Sequence, residues 1–209
     1  NHNTSFVPMH TVFKSLFTIL FYLLLILISF KPVYANEQSN DYAVDHDVFE
    51  LPGRGELIMR VPKVWDYNFT WVDENQPPLI TFFVPDDKKA EIFQLNMSVL
   101  WDDGFGRNIS TPEFVRSLVE RTGEEILTMS DQTELILHEI TGTTGAGYLF
   151  DLSDSSAGKG EYKYLTQGAI SLGDILLIFS LFSNDEDSLL REATLQMVMS
   201  AKHDFRKDV

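Results

Sequence analysis

The second half of the chain contains a run, residues 175–179, that is apolar at every position. A strand with one wet face alternates apolar and polar residues, so this run predicts a strand that is covered on both faces. Residues 162–170 precede it with the alternation of a strand, and Gly173-Asp174 supplies the permissive backbone of a tight turn. The pattern therefore predicts a hairpin of two strands, 162–170 and 175–182, around which the domain is organised.

A helix is predicted to follow this hairpin at residues 184–205. Ser183 and Glu186 have the spacing of a capping box, in which each side chain satisfies a free backbone donor of the first turn. Apolar residues recur at steps of three and four, which predicts a buried stripe of Leu190, Ala193, Met197, Ala201 and Phe205. Met197 and Met199 are interpreted as core residues rather than metal ligands.

Shorter apolar segments earlier in the chain predict further strands at 56–61, 67–72, 79–84, 93–101, 135–140 and 148–152. Residues 93–101 alternate most clearly and predict a half-buried strand whose wet face carries Gln94, Asn96 and Ser98. Because short turns join sequential strands, the expected sheet has about six to seven strands and is mainly antiparallel, sandwiched by helices. The predicted fold class is α+β.

One helix is predicted between the strands, beginning after residue 111. Ser110 or Thr111 is its N-cap, Pro112 lies in its first turn, and Glu113 is in capping-box register with Ser110. Its inner stripe is predicted to be Phe114, Leu118, Val119 and Thr122. Gly123 weakens the pattern, so that the helix either ends there or continues poorly towards Met129.

The N-terminal region has the plan of a secretory signal peptide. Lys14 gives the positive region, residues 16–30 form an apolar run, and Ala35 stands at the position of a cleavage site. The run is shorter than the roughly 20 residues that a spanning helix needs. Residues 1–35 are therefore predicted to be a signal peptide that is cleaved after Ala35, with Met9 as the true start. The alternative is an uncleaved N-terminal anchor.

The remainder of the chain is predicted to be one acidic domain. Residues 36–47 are polar and are interpreted as a flexible leader, 48–205 as a single domain, and 206–209 as a tail. Residues 36–209 carry 14 basic and 31 acidic groups, a formal charge of −17. This balance argues against binding to nucleic acid, because phosphate contacts need clustered Lys and Arg. The absence of cysteine from the sequence excludes disulfides, thiolate catalysis and cysteine-ligated zinc.

No residue pattern indicates a catalytic, cofactor or metal site. The three histidines after residue 35 lie on the leader, a strand and a helix end, without the spacing of metal ligands: His46, His138 and His203. Several loop carboxylates could ligate a hard cation, although a solvated acidic loop is the preferred interpretation: Asp102, Asp103, Asp151, Asp154 and Glu161. The glycines of 142–147 lack the order and the following helix of a phosphate loop and indicate a hairpin turn.

Aromatic residues are concentrated in the first half of the chain: Trp65, Tyr67, Phe69, Trp71 and Trp101. They are typical either of an apolar pocket or partner groove, or of a packed core with aromatic rims, and the core is the preferred interpretation. Three glycosylation sequons, beginning at Asn68, Asn96 and Asn108, matter only if the source is a eukaryote.

Three segments resemble the Mog1/PsbP-like superfamily, including exported bacterial domains of unknown function related to DcrB. Residues 57–65 (LIMRVPKVW) are similar to its opening strand and V-P-x-x-W motif, residues 162–182 to its late hairpin with a Gly-Asp turn, and the helix ending at Phe205 to its last helix. The resemblance covers residues 48–205 and implies an antiparallel sheet between helical layers. It implies binding or assembly rather than shared enzyme chemistry, and it transfers no binding residue.

We therefore expect an exported, non-catalytic binding or accessory protein of the bacterial periplasm or cell envelope, without a cofactor. Its expected partner is a protein or a small apolar ligand, not a nucleic acid, and contact with the membrane is expected only through an uncleaved N-terminal segment. The first alternative is a hydrolase or metal-dependent enzyme that uses dispersed Asp, Glu and His residues. The second is an N-terminally anchored envelope protein.

Overall fold

The computed structural model describes residues 43–71, 76–84, 93–101, 108–184 and 188–205. The predicted signal peptide, most of the leader, Asp102, Asp103, Glu186 and the tail lie outside these ranges. Within them the chain forms ten strands and two helices. In chain order these are β1 (Val44–Leu51), β2 (Gly55–Pro62), β3 (Asp66–Thr70), β4 (Leu79–Phe83), β5 (Phe93–Trp101), α1 (Pro112–Leu127), β6 (His138–Thr141), β7 (Ala146–Ser153), β8 (Tyr164–Ser171), β9 (Ile175–Ser183), α2 (Ser188–Ser200) and β10 (Lys202–Asp204).

Seven strands form the main sheet, in the order β3-β4-β5-β9-β8-β7-β6, with every neighbouring pair antiparallel. β9 is the central strand, and every one of its residues is buried. Its side chains alternate between two cores, with Leu177 and Phe179 in one and Leu176 and Ile178 in the other. The predicted two-sided cover of this strand and the predicted α+β fold class are confirmed.

The main sheet lies between two layers. α1 covers one face over β7 and β8, and its Val115 and Val119 belong to the same core as Phe150 of β7. On the other face lie α2 and a second, three-stranded sheet with the order β1-β2-β10. The helical cover agrees with the predicted sandwich, whereas the sequence did not predict the three-stranded sheet.

The C-terminal segment corrects the predicted helix of residues 184–205. α2 ends at Ser200, and β10 pairs antiparallel with β2, with Lys202 opposite Ile58. Gly55 permits this pairing, because a Cβ at that residue would lie 2.2 Å from the carbonyl oxygen of Asp204. Backbone hydrogen bonds to β2 compensate for ending the helix, and local periodicity cannot reveal such a distant partner. Phe205 is 45% exposed rather than buried on the predicted stripe.

The first strand corrects the predicted leader and domain boundary. β1 begins at Val44, so the end of the predicted flexible leader is an ordered strand that includes His46. Residues Asp45 and Asp47 broke the apolar alternation and concealed it in the sequence. The backbone nitrogen of Lys63 donates to the carbonyl oxygen of Ala43 at 2.9 Å, which extends the pairing with the chain after β2.

α1 confirms the predicted middle helix. Thr111 is the N-cap, and its hydroxyl accepts a hydrogen bond from the backbone nitrogen of Phe114 at 3.3 Å. The helix continues through Gly123, which is buried close to Leu135: a Cβ there would lie 2.6 Å from Leu135 Cδ1. The residue type that weakens the helix therefore also lets the chain after it pack closely.

Three predicted strands differ in extent or burial. The segment predicted at 135–140 forms a strand only at β6, and the segment predicted at 162–170 begins at Tyr164 of β8. β5 has the predicted bounds, but its polar face is not wet: Asn96 is 3% and Ser98 6% exposed. Asn96 accepts hydrogen bonds from Thr81 and Gln94, both at 3.0 Å, which helps compensate for its burial.

Thr194 offers a test of the packing of α2 against the two sheets. Its side chain is fully buried, and its hydroxyl has no hydrogen-bond partner within the described part of the chain. Thr194→Val keeps the shape and removes the buried hydroxyl, so we expect the free energy of unfolding to rise by about 1 kcal/mol in urea titrations. Thr122→Val is the control, because that hydroxyl bonds Leu118 at 2.9 Å and its removal should not stabilise. A Thr194→Val variant less stable than the wild type would contradict this packing.

Candidate functional site

β3 is an edge strand with exposed aromatic side chains. Among the described strands it pairs with β4 alone, and every one of its residues is exposed. Tyr67 is 36% and Phe69 38% exposed. Natural edge strands are usually short, charged or covered, because an open edge can pair with another chain. An exposed aromatic edge is therefore a feature that needs an explanation.

The two aromatic side chains are held in place from beneath. Phe49 of β1, which is buried, lies with its ring centroid 4.9 Å from that of Tyr67 and 6.2 Å from that of Phe69. Phe82 of β4 lies 5.7 Å from Tyr67, again between ring centroids. One side of each ring thus contacts the core while the other faces solvent. We call Phe49, Tyr67 and Phe69 the aromatic edge.

The backbone of β3 also has groups directed away from the sheet. In an antiparallel pair, alternate residues bond the partner strand, and the residues between them point their backbone groups to the other side. The backbone nitrogen of Tyr67 donates to the carboxylate of Asp66 in its own strand at 2.9 Å. We assign Tyr67 to the outward set, and Phe69, two residues on, belongs to the same set. An added strand would find these backbone groups along the edge.

The opposite edge of the main sheet is different. β6 has only four residues, and its one large apolar side chain, Ile140, is buried. His138 and Glu139, which are polar, occupy its exposed positions. This edge has the features that natural proteins use to prevent pairing. β3 is therefore the better candidate of the two for contact with another molecule.

Acidic side chains accompany the aromatic edge. Asp66 belongs to β3, and Asp45 and Asp47 lie on the same side of β1 as Phe49, because alternate residues of a strand share a face. Lys63 forms an ion pair with Asp45 at 3.0 Å. The pKa of Asp47 is raised, first by its burial and then by the negative charge of Asp45. Negative charge is thus crowded beside the aromatic edge.

The three histidines lie on three different strands. His46 is in β1 and His203 in β10, on opposite sides of β2, and the Nε2 atom of His203 lies 2.6 Å from the carbonyl oxygen of Arg54. His138 is in β6 at the far edge of the main sheet. The positions predicted for His46 on a leader and for His203 on a helix end are therefore wrong. The fold does not bring these side chains into one cluster.

Asp151 lies in β7 rather than on a loop, and it is paired. Its carboxylate accepts two hydrogen bonds from the Arg191 guanidinium, at 2.8 and 2.7 Å, and another from the Thr166 hydroxyl. Burial opposes ionisation, but the hydrogen bonds from Arg191 and Thr166 outweigh it and hold the pKa of Asp151 below its usual range. A weaker electrostatic interaction with His138 lowers the pKa of Asp151 as well. The pair connects α2 to the main sheet.

This pair predicts a pH-dependent stability. We expect Asp151→Asn to lower the free energy of unfolding by about 1 kcal/mol at neutral pH, since solvent screens a pair of this exposure. A carboxyl whose pKa is depressed by folding stabilises above its unfolded pKa of about 3.9 and loses that contribution as pH falls through the folded value. The difference from wild type should therefore shrink below about pH 4 in urea titrations. Glu192→Gln, on the same helix as Arg191, is the control. An equal loss of stability in that variant would contradict the role given to the pair of Asp151 and Arg191.

The remaining predicted carboxylates bond their own loops. Asp154 accepts from the backbone nitrogen and hydroxyl of Ser156, and Glu161 accepts from the backbone nitrogen of Gly158 at 2.6 Å. No group of three or more His, Asp or Glu side chains within the described ranges could hold a metal ion. The glycine-rich segment of 142–147 joins β6 to β7, as predicted for a hairpin turn.

The tryptophans do not form a single pocket. Trp65 is buried and packs against Phe93, with ring centroids 4.9 Å apart. Trp71 and Trp101 lie 5.9 Å apart, between ring centroids, with the Arg54 guanidinium 5.0 Å from the Trp101 ring. The aromatic residues therefore have different surroundings: Trp65 belongs to the core, whereas Tyr67 and Phe69 lie on an exposed edge.

A small cleft lies beneath α1. Its cavity volume is only about 10 Å³, and it is lined mainly by apolar side chains, with Gln167 and Thr122 among them. Small-molecule pockets usually enclose roughly 300–1,000 Å³. Both its size and its sparse polar groups make it a weak candidate for a ligand site.

No helix within the described ranges has the length and apolar character to cross a membrane.

Comparison with known proteins gives no family. No family model and no curated protein matches the chain. Solved structures that are similar to this chain include the following two, both at low identity. One, from Bacteroides thetaiotaomicron, is 14% identical with a TM-score of 0.40; the alignment covers 73% of this chain but only 46% of that one. The other, the cyanobacterial PsbP (CyanoP) of Synechocystis, is 12% identical with a TM-score of 0.48 over 81% of this chain and 98% of that one. At these TM-scores neither similarity establishes a family or a function.

Proposed function

We propose that the protein is a non-catalytic binding or accessory protein that accepts an extended segment of a partner protein as an additional strand beside β3. The observation that carries this proposal is the aromatic edge, in which Tyr67 and Phe69 are exposed yet held by Phe49. Strand addition takes its affinity from backbone hydrogen bonds and its selectivity from alternate side chains. β3 offers both, since its outward backbone groups lie beside two exposed rings.

A protein partner fits the described structure better than a small apolar ligand. The cleft beneath α1 is small and shallow, whereas the aromatic edge is linear and open. An enzyme built from dispersed Asp, Glu and His residues has less support. Asp151 is occupied by Arg191, and the three histidines lie on separate strands.

The proposed location is the bacterial periplasm or cell envelope. Its support is the signal-peptide plan of residues 1–35 and the resemblance of 57–65 to exported domains related to DcrB. Cleavage after Ala35 would release the domain, and a retained apolar run would anchor it beside a membrane. The docking role of β3 is the same in both cases, because β3 belongs to the folded domain.

The test is in-cell crosslinking and pull-down of the full chain, with mass spectrometry of the products. Three forms are compared: wild type, Phe69→Ala and Phe69→Pro. The alanine variant removes the ring but keeps the backbone N–H, while the proline variant also removes the N–H. Proline is tolerated on an edge strand where the N–H faces outward. We expect a stoichiometric partner for wild type, weaker capture by Phe69→Ala and none by Phe69→Pro.

Urea titrations of the two variants show whether they are folded, through their unfolding midpoints. If both variants are folded and capture the same partner as efficiently as wild type, β3 is not the docking edge. If wild type instead carries an added small-molecule mass and no protein, the ligand-binding alternative replaces the proposal. The same spectra show whether the chain begins at Asn36, which tests cleavage after Ala35 independently.

A further inference from the structure

A strand that adds beside β3 must present two faces to this protein. Side chains of a strand alternate between the two faces of its sheet, and cross-strand neighbours on one face lie close together. On one face of β3 lie Tyr67 and Phe69, over the ring of Phe49. On the other face lie Asp66, Asn68 and Thr70, all exposed. The incoming strand should therefore be apolar on one face and polar on the other.

The charges around β3 specify the incoming strand further. Asp66 carries a negative charge on the polar face of β3, while Asp45 and Asp47 of β1 add negative charge on the aromatic side, where Phe49 lies. Of these carboxylates, Asp45 is paired with Lys63. The chain as a whole has a formal charge of −15. Such a field attracts a cationic segment and repels an acidic one, and like charges placed opposite each other on neighbouring strands are unfavourable.

We infer that the partner segment docking on β3 is basic and alternating, with apolar side chains over Tyr67 and Phe69 and Lys or Arg side chains on the face of Asp66. This inference rests on the proposed docking role of β3 and adds the chemistry of the partner. Arg and Lys are suited to it because their long aliphatic stems can lie along a strand while the charged ends reach the carboxylates. Electrostatic attraction would also speed the encounter of the two proteins.

The experiment uses three synthetic nine-residue peptides that alternate Val with Lys, Val with Gln, or Val with Glu. Binding of each peptide to the full chain is measured by titration at low and at high ionic strength. For wild type we expect the Lys peptide to bind about tenfold more tightly than the Gln peptide, because an ion pair with Asp66 adds to the attraction of the surrounding negative charge, and the Glu peptide not to bind. High salt should reduce the Lys preference, since exposed charges are screened.

Two variants locate the effect. Phe69→Pro keeps every charge of the protein but removes an outward backbone donor, so it should lose the Lys peptide; retained binding would mean non-specific attraction to an acidic protein and would overturn the inference. Asp66→Asn should weaken binding of the Lys peptide several-fold and leave the affinity for the Gln peptide unchanged. Glu192→Gln, which removes a charge on α2, is the matched control and should change the affinity for neither peptide.

The outcomes separate the partner chemistry from the docking role. If all three peptides bind equally and Phe69→Pro abolishes all of them, β3 is the docking edge and the basic partner is wrong. If none of the peptides binds wild type, both the docking role of β3 and its partner chemistry are wrong. Sedimentation of wild type and Phe69→Pro adds one further outcome. A wild-type dimer that Phe69→Pro converts to a monomer would identify a second copy of this chain as the occupant and would overturn the basic partner.

Discussion

Phe179→Ala is expected to lower the free energy of unfolding by about 3–5 kcal/mol, the usual cost of removing a fully buried aromatic ring. Phe179 is fully buried at the middle of β9, the central strand, in the core that the main sheet shares with α2 and the three-stranded sheet. The core around it is built from side chains of both sheets and of α2, so it cannot collapse into the space without moving whole elements. Urea unfolding followed by fluorescence measures the change.

Phe69→Ala is the matched control for this prediction. It makes the same chemical change on an exposed edge strand, where less apolar area is removed from contact. We expect it to cost less than about 1.5 kcal/mol, well below the cost at Phe179. Equal losses at the two positions would contradict the assignment of Phe179 to the core and Phe69 to the edge.

The second large effect is expected at Gly168 of β8, directly opposite Phe179 in the pairing of β8 with β9. A Cβ at this residue would lie 2.4 Å from the carbonyl oxygen of Tyr148 and 2.8 Å from Phe179 Cζ. Neither neighbour can yield cheaply, because one is strand backbone and the other is a packed ring. We expect Gly168→Ala to destabilise by about 3 kcal/mol or more, at the upper end of overpacking effects.

Gly158→Ala provides the comparison for Gly168. Gly158 is exposed, and a Cβ there would meet only the flexible carboxylate of Glu161, at 3.3 Å. Its substitution should change the free energy of unfolding by no more than about 0.5 kcal/mol. A tolerated Gly168→Ala, with a midpoint like that of Gly158→Ala, would mean that β8 and β9 do not pack at this spacing.

The elements with strong local patterns could be predicted from the sequence. The unbroken apolar run of β9 indicated burial on both faces. The cap at Thr111 and the apolar stripe that follows it indicated α1. β10 could not be predicted, because Lys202–Asp204 continues the helical periodicity of α2 and its partner β2 is far away in the chain. β1 could not be predicted either, because its acidic residues gave an ordered strand the polar composition of a flexible leader.

The candidate site could be predicted only in part. Tyr67 and Phe69 were recognised as an aromatic strand, but alternation alone cannot say whether a strand is central or at an edge. That distinction depends on the order of strands in the sheet, which places β3 last, and on β1, whose Phe49 supports both rings. The burial of Asn96 likewise depends on its central position in the sheet, which the sequence pattern of β5 does not reveal.

Amide hydrogen exchange at β3 is the most direct test of the docking role. Exchange is measured for the full chain alone and with a saturating amount of the Val-Lys peptide. If an added strand pairs with β3, the backbone N–H groups of Tyr67 and Phe69 become protected, while those of β6 at the other edge are unchanged. Bound peptide without any protection in β3 would contradict the account, because the peptide would then occupy another surface.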